Sequence, residues 1–512
     1  MIAMRRPRWR SHWRSAAAPA VLAALLALGG CAVGPDYQRP DAPVAQAWKT
    51  EPGWQAGNPR DGELKGAWWE IFGDTQLNAL QEQALKNGQT MVIAQTRVEQ
   101  ARAQANVANS AYFPQIGLQG GVTRNRTSAE RPLSNRNSVN SSIVQNDFNA
   151  AFTVDYEVDL FGRVRRQAEG ATASMEQAQA DFENTRLVLT AELAADYFAL
   201  READAEIDLL RQLLASQNKA LDYISAQHEL GAVSGLDLNQ QQGLTAATQT
   251  QLTLLEDQRA RYQTAIATLI GVPAPDFTLA SNPVLVHVPA VPLTAPATLL
   301  ERRPDVAAAE RAMAAANAQI GVARSAYFPS LFLSGLVGSD ANKIGNLFTA
   351  PAALWAIGVS ATQTVFDGGR IGANVDFAEA GYRQAVAGYR QSVLTAFQEV
   401  QDGLNTDAAL TQAGASAKIA ADSADRSLGL SIDRYQSGVA ANLEVVVAQQ
   451  TLLGYRRQEV QLRGQRLLNT VKLIKALGGG WHAPGMTMPA AASAESATAT
   501  SVTSATSATP AN

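Results

Sequence analysis

The chain has 512 residues, ordinary hydrophobic content at 46%, few aromatics at 6% and a formal net charge of −4. That length supports more than one layer or domain, and the alanine-rich, aromatic-poor composition suits long, closely packed helices better than an enzyme core. No basic face is available for nucleic acid, because the only concentration of positive charge lies at the N-terminus.

Arg5, Arg6, Arg8, Arg10 and Arg14 form a positive segment without acids. An apolar stretch from Ala16 to Leu28 follows, of signal-peptide length and too short to span a bilayer comfortably. It ends in Leu28-Gly29-Gly30-Cys31, which resembles a bacterial lipobox. Cys31 is the single cysteine, so no intramolecular disulfide can form. It reads as a lipidated mature N-terminus rather than an incidental core thiol, and it makes residues 1–30 a signal peptide. Three acyl chains, palmitate among them, would exceed the two signals that stable anchoring needs. Ala32 follows, where an aspartate would resemble an inner-membrane retention signal, and this favours the outer membrane. Residues 31–87 then form a lipid-anchored segment, with 48–87 expected to pack around the main body.

The chain next states one theme twice. Residues 101–114 read ARAQANVANSAYFP and 316–329 read ANAQIGVARSAYFP, ten of fourteen positions being identical. Leu160-Phe161-Gly162-Arg163 is answered by Val365-Phe366-Asp367-Gly368-Gly369-Arg370, and Gly231 to Asp237 by Gly438 to Glu444. A repeat of this length indicates a duplicated half-domain rather than a solenoid unit. The two repeats are assigned to 88–271 and 303–481, joined by 272–302. The offset between copies falls after Pro114, so a surface insertion belongs in 115–160.

Each repeat offers two strands. In residues 152–160, Phe152, Val154, Tyr156, Val158 and Leu160 alternate with Thr153, Asp155, Glu157 and Asp159. Period two gives one apolar and one acidic face, as in a soluble sheet or a transmembrane barrel strand with a polar interior. Asp155, Glu157 and Asp159 are thus candidate lumen-facing acids in preference to hydrolytic carboxylates. Residues 116–122, 331–337 and 355–363 are the other strands; the polar stretch 124–147 and the shorter 339–353 are their loops. Four strands cannot close a barrel, and open edges in lipid would leave unpaired backbone groups costing several kcal/mol each. Membrane strands would therefore have to be pooled between chains.

Long helices follow both strand pairs. Arg163 to Glu229 contains no proline, and Leu193, Leu200, Ile207, Leu214 and Leu221 recur every seven residues. Gly372 to Gln436 is likewise proline-free, and Val446, Leu453, Val460, Leu467 and Ile474 repeat the spacing. Sustained sevens impose a left-handed supercoil. The turns Gly231–Gly235 and Gly438–Asn442 reverse the chain into a returning helix. The end of the chain, residues 482–512, is rich in Ala, Ser and Thr and is expected to be disordered.

The four histidines are isolated, and no phosphate loop or nucleophile motif is present. No enzyme chemistry and no cofactor are expected, apart from the covalent lipid on Cys31.

Several motifs in order carry a resemblance. Cys31-Ala-Val-Gly34-Pro35-Asp36-Tyr37 with Pro40, Trp68-Trp69-Glu-Ile-Phe72-Gly-Asp74, Glu301-Arg302-Arg303-Pro304-Asp305-Val306, the Ser-Ala-Tyr-Phe-Pro pair, Phe366-Asp-Gly-Gly-Arg370 and Lys475-Ala-Leu-Gly-Gly-Gly-Trp481 resemble the outer-membrane factor family, in the NodT-type lipoprotein branch related to TolC. The resemblance implies an α+β membrane protein. In it a homotrimer shares one twelve-stranded β-barrel, four strands per chain, above a long periplasmic α-helical coiled-coil barrel. It implies an exit channel of a tripartite efflux pump. Its partners would be a periplasmic adaptor (membrane fusion) protein, an inner-membrane pump of the resistance-nodulation-division class, and outer-membrane lipid. An exit duct for a secretion or oligosaccharide-export system is the nearest alternative; a lipid-anchored coiled-coil structural protein is another. Glu301 to Asp305 reads as a helix start.

In that family the hairpin tips meet the adaptor, which makes Gly231, Ala232, Val233, Gly438, Val439 and Ala440 candidates for this contact. The opposing reading is that both glycines only terminate helices. Leu443 and Glu444 are gate candidates, as an apolar ring and three carboxylates near a threefold axis. Where the family carries an aspartate four residues after this leucine, the chain has Val447. Glu444 also fits a helix N-terminus, favourable by roughly 0.3–1 kcal/mol.

Overall fold

The computed structural model describes residues 32–41, 67–130, 142–291 and 303–479. Cys31, the signal segment, residues 292–302 and the tail 482–512 lie outside the described residues.

After a short 3-10 turn at Trp68–Phe72 come α1 (Thr75–Asn87) and α2 (Gln89–Ser110). Strands β1 (Gln115–Arg126) and β2 (Val144–Val158) precede the 67-residue α3 (Arg163–Glu229) and its returning helix α4 (Gly235–Leu269). The order then repeats: α5 (Pro304–Ser325), β3 (Ser330–Ala341), β4 (Ala353–Thr362), the 67-residue α6 (Arg370–Gln436) and α7 (Asn442–Ala476). At 1.5 Å per residue each long helix extends about 100 Å. Among the described residues no helix is long and apolar enough to cross a membrane.

The four strands form one antiparallel meander in the order β1-β2-β3-β4. All four strands begin before the apolar alternation that signals them; β1 and β3 also run past its end, whereas β2 stops at Val158 and β4 at Thr362. The clearest difference is in β2, expected at 152–160 and found at 144–158. Its early part, Val144 to Ala151, of which 144–147 read as the end of a polar loop, pairs residue by residue with β1. Its end is cut short because the Asp159 carboxylate turns to accept the backbone N–H groups of Val164 (3.1 Å) and Arg165 (2.9 Å), capping α3.

The main core sits where the long helices pass the ends of the returning ones. Trp68, Phe72, Leu77, Leu193, Tyr197, Phe198, Leu200, Ile266, Tyr389, Val393, Leu467 and Ile474 are all buried there. Trp68 and Phe72 meet edge-on, and Phe72 leans on Phe198 with ring centroids 4.7 Å apart. The heptad residues Leu193, Leu200, Ile207, Leu467 and Ile474 are buried, whereas Leu214 and Leu221 near the hairpin end are half-buried. Ile207, Leu210 and Leu252 continue the apolar seam between α3 and α4.

Buried charges tie the middle together. Asp204, fully buried on α3, accepts from Arg201 (2.9 Å), Arg259 of α4 (2.6 Å), the Ser281 hydroxyl (2.9 Å) and the Asn282 N–H (3.0 Å). The two guanidinium groups also donate to the Ala280 and Leu279 carbonyls. The segment after α4 is thereby fastened across both helices. Arg303 does the same for the second repeat: it pairs with Asp305 and Glu399 and donates to the Ala476 carbonyl. Pro304 lies in the first turn of α5, as its motif suggests, and the buried Arg303 adds a tie to α6 and α7.

Candidate functional site

The strand register sorts side chains onto two faces. Opposed residues share a face. One face carries Ile116, Leu118 and Val122 of β1, Phe152 and Val154 of β2, Leu333 and Val337 of β3, and Trp355, Ile357 and Val359 of β4. These side chains are exposed in the single chain. Leaving each in water forgoes roughly 1.5–3 kcal/mol of burial, so the face calls for an apolar cover. The other face is mainly polar, with Gln115, Gln119, Thr123, Asn149, Thr153, Asp155, Ser334 and Ser360, and Phe332, Leu336 and Leu354 as its apolar members. Strands of 12, 15, 12 and 10 residues, apolar on one face and polar on the other, have the length and pattern of a membrane barrel wall. Among the described residues β1 and β4 each pair on one side only.

The three acids expected in the lumen therefore separate. Asp155 lies on the polar face, opposite Gln115 and Ser334. Glu157 shares that face but is bound by the guanidinium of Arg163, at the start of α3. Asp159 is past the strand and is the helix cap described above, also 3.5 Å from Arg165. The acidic alternation reads as one stripe in sequence; two of its members are spent on the strand-to-helix corner. Asp367 makes the matching corner in the second repeat, accepting from Gly369 and Ile371 N–H at 2.9 and 2.8 Å.

At the opposite end, the two hairpin tips share one backbone design. Gly231 (φ 75°) and Gly438 (φ 72°) adopt the left-handed conformation that ends α3 and α6. Ala232 N–H donates to Gln227 O, and Val439 N–H to Arg434 O, five residues back in both. This is the Schellman arrangement, which satisfies the last helical carbonyls. Ala232 and Val439 are exposed at the turn, while Val233 and Ala440 are half-buried. The tips then diverge. Ser234 and Asp237 form a reciprocal capping box on α4. Ala441 supplies no side-chain cap to α7. Glu444, the counterpart of Asp237, instead lies 3.5 Å from the Arg434 guanidinium of α6 and is approached at 3.5 Å by the Ser431 hydroxyl. Its charge is held within the hairpin. Leu443 is half exposed and Val447 beside it is exposed.

A strap unnoticed in the sequence runs along the top of the helices. Val33 N–H donates to Phe161 O (3.0 Å) at the foot of β2, and Asn317 of α5 donates to Pro35 O (2.9 Å). Asp36 accepts from buried Arg166 of α3 (2.6 Å), and Tyr37 donates to Glu310 of α5. Burial, with that bond to Glu310, pushes the Tyr37 hydroxyl well above its usual range. Arg39 reaches Tyr389 of α6 at 2.8 and 3.0 Å and lies over its ring. Two glycines let the strap in: a β-carbon on Gly34 would stand 2.7 Å from Gly321 Cα, and one on Gly321 would meet Val33 O at 3.0 Å. Ala32 sits against Gly162 at the barrel foot. Local periodicity could not have revealed the strap, since its partners are more than a hundred residues away.

Among the described residues, Glu202 and Asp196 are half-buried carboxyls with acidic neighbours. Glu202 on α3 is pushed up to about 7 by burial and by nearby Glu206, and Asp196 to about 6 by burial and Glu192. Among the described residues no group of His, Cys, Asp or Glu could hold a metal ion.

Known proteins share this architecture. The toluene efflux pump outer membrane protein TtgF of Pseudomonas putida is 32% identical over 466 residues, covering 90% of this chain and 96% of that protein. The pyoverdine export outer membrane protein OpmQ of Pseudomonas aeruginosa is 31% identical over 467 residues, 90% and 97% respectively. The open-state crystal structure of the Neisseria gonorrhoeae MtrE outer membrane channel superposes with a TM-score of 0.77 at 26% identity, covering 89% of this chain and all of that one. The model for outer membrane efflux proteins matches residues 80–272 and 295–479, one stretch for each half of the duplicated fold, and the chain belongs to that outer-membrane channel family.

Proposed function

We propose that three copies of this chain pool their strands into one twelve-stranded outer-membrane barrel over a periplasmic helical tunnel, and that the assembly is a passive exit duct for small toxic organic compounds. The observation that carries this reading is the open four-stranded meander, apolar on one face and polar on the other, with both edges unpaired. Such a sheet satisfies its backbone in lipid only by closing with other copies. The helical hairpins would extend the conduit towards a periplasmic adaptor and an inner-membrane pump of the resistance-nodulation-division class. That pump would select the cargo. The named relatives serve toluene efflux and pyoverdine export, so cargo of small organic character fits the fold. The duct performs no catalysis in this reading. Triacylated Cys31 adds a second hold on the membrane beside the barrel foot.

Purified full-length protein in detergent tests the assembly: native mass should give a trimer, and planar bilayers should show stable single-channel conductance. A monomer that does not conduct would sink the reading. Intact mass tests the anchor; mature protein should begin at Cys31 and carry its acyl chains, and an unmodified thiol there would remove the lipid from the account.

A further inference from the structure

The sheet sorts charge by face. Among the described strand residues the acids Asp147, Asp155, Glu157 and Asp340 lie on the polar face. Both strand arginines, Arg124 and Arg126, lie on the apolar face, in line with Ile116, Leu118 and Val122 of β1. Arg124 stands opposite Asn146 and Arg126 opposite Val144. All four of these side chains are exposed. The helices join the sheet at the Gln115, Val158, Ser330 and Thr362 ends of the strands, so the two arginines stand at the end furthest from the helical body.

We infer that Arg124 and Arg126 form a patch that binds the phosphate groups of a phosphorylated glycolipid in the outer leaflet of the membrane. This rests on the membrane-barrel reading and adds a specific lipid partner to it. Depth is the first argument. At about 3.3 Å per residue, Arg124 lies about 7 Å and Arg126 about 13 Å past Val122 along the strand. An arginine facing lipid is costly at the bilayer midplane and nearly free of cost at the interface. The apolar run of β1 ends at Val122, so the guanidinium groups begin where acyl chains give way to headgroups.

The chemistry of the patch selects phosphate. Arginines of the helical body are matched with carboxylates, as Arg166 is with Asp36 and Arg259 with Asp204. Among the described residues Arg124 and Arg126 have no such partner, and Asp147, the neighbour of Asn146, belongs to the opposite face. Arg126 is oriented by its Nε, which donates to the Ser142 hydroxyl at 2.7 Å. The ladder continues beyond it, with Thr127 N–H donating to Ile143 O at 2.9 Å, so both arginines stand on paired backbone. Alternate residues of a strand share a face about 7 Å apart, close enough for two guanidinium groups to serve one headgroup. A guanidinium meets phosphate through two parallel N–H bonds and stays charged at every physiological pH. Asn146 adds an amide donor beside them. The apolar side chains directly below supply a surface for acyl chains, which a soluble phosphate does not carry.

Native mass spectrometry of the full-length, delipidated protein in detergent tests the patch. The probes are bisphosphorylated lipid A, the same lipid stripped of its phosphates, and inorganic phosphate. The bisphosphorylated lipid should be retained several-fold better than the stripped one. Arg124→Gln with Arg126→Gln should cut that retention several-fold and leave the stripped lipid's unchanged. Arg124→Lys with Arg126→Lys should keep part of it, and Arg426→Gln, far along α6, should keep all of it. Millimolar inorganic phosphate should not displace the lipid. Parental conductance in planar bilayers identifies variants that fold and insert. Equal retention of the two lipids by the parent, or unchanged retention in a conducting double glutamine variant, overturns the patch. Loss in Arg426→Gln as large as in the double variant overturns its location. Displacement by inorganic phosphate marks a simple anion site and overturns the lipid as its occupant. A parent that neither inserts nor conducts overturns the barrel reading and the patch with it, whereas a conducting parent without phosphate-dependent retention overturns the patch alone.

Discussion

Glu202 of α3 lays its carboxylate over the backbone of Gly464 in α7, in the space a β-carbon there would occupy. The two long hairpins approach each other here because one residue has no side chain and the other folds across it. Glu206, one turn further on, is paired with Arg457 of α7 (2.8 Å), so Glu202 has that cation's neighbour as company and not the cation itself. Gly464→Ala should therefore destabilise the protein by about 1–3 kcal/mol through overpacking. Adding Glu202→Ala should recover most of the loss. Equal melting temperatures for the parent and Gly464→Ala would refute the close contact.

The same carboxyl gives a pH dependence with a definite sign. Glu202 is raised from 4.5 to about 7 and Asp196 from 3.8 to about 6 in the folded chain. Between about pH 4 and 7 the folded protein holds protons that the unfolded chain has released, so these groups lower stability as pH rises through that window. Glu202→Gln should flatten the decline and stabilise the protein at pH 8 by the order of 1 kcal/mol, a figure discounted for residual solvent access. Denaturation at pH 5 and pH 8 reads it directly, and an unchanged pH slope in the variant contradicts the assignment.

Asp204 is predicted to be the most sensitive single position in the helical body. Removing it leaves Arg201 buried and Arg259 largely so, both without their carboxylate, a loss of about 3–5 kcal/mol. Asp204→Ala should release the segment at 279–282, visible as faster amide exchange there than in the rest of the main core. Protection equal to the parent's would show that the segment is held by its apolar contacts alone.

At the tips, Leu443→Ala should raise open-channel conductance in planar bilayers, whereas Glu444→Gln should leave cation selectivity near the parent's because Arg434 already balances that charge. A large selectivity change from Glu444→Gln would place the carboxylate on the conduction path after all. Ala232→Arg or Val439→Arg should abolish efflux in cells while leaving trimers intact, if those exposed turns meet the adaptor. Normal efflux would leave both glycines with helix termination as their whole role.

Much of this architecture is legible in the residues. Strict alternation marks the apolar face of the strands, sevens mark the buried stripe of α3 and α7, and Gly231 and Gly438 mark the turns. Pattern fails where the structure depends on distant pairs. Val144 to Ala151 carries no clear alternation, and it is backbone pairing with Gln119 to Arg126 of β1, Gly120 and Gly121 among them, that makes it a strand. Asp159 looks like the next member of an acidic stripe, yet three residues later the chain needs a cap. Arg201 and Asp204 stand one helical turn apart, and only the tertiary fold buries them. The strap at 32–41 has no period at all, and Tyr37, Arg39 and Asp36 acquire meaning only from Glu310, Tyr389 and Arg166.

That strap also has a mechanical meaning. It begins beside Gly162 at the barrel foot and ends on Tyr389, engaging α3, α5 and α6 on the way through bonds that cross both repeats. A pull on the N-terminus meets Phe161 at the foot of β2 first and is then shared by three helices. If Cys31, the residue before the strap, carries the proposed lipid, the helical body hangs from the bilayer along two load paths, the barrel and the strap, and tilting one against the other must stretch a set of charge-assisted bonds. Gly321→Val, which closes the passage for Val33 and Gly34, should cut the second path. The strap should then become open to protease, while the strands, which it does not touch beyond Phe161, keep their pairing.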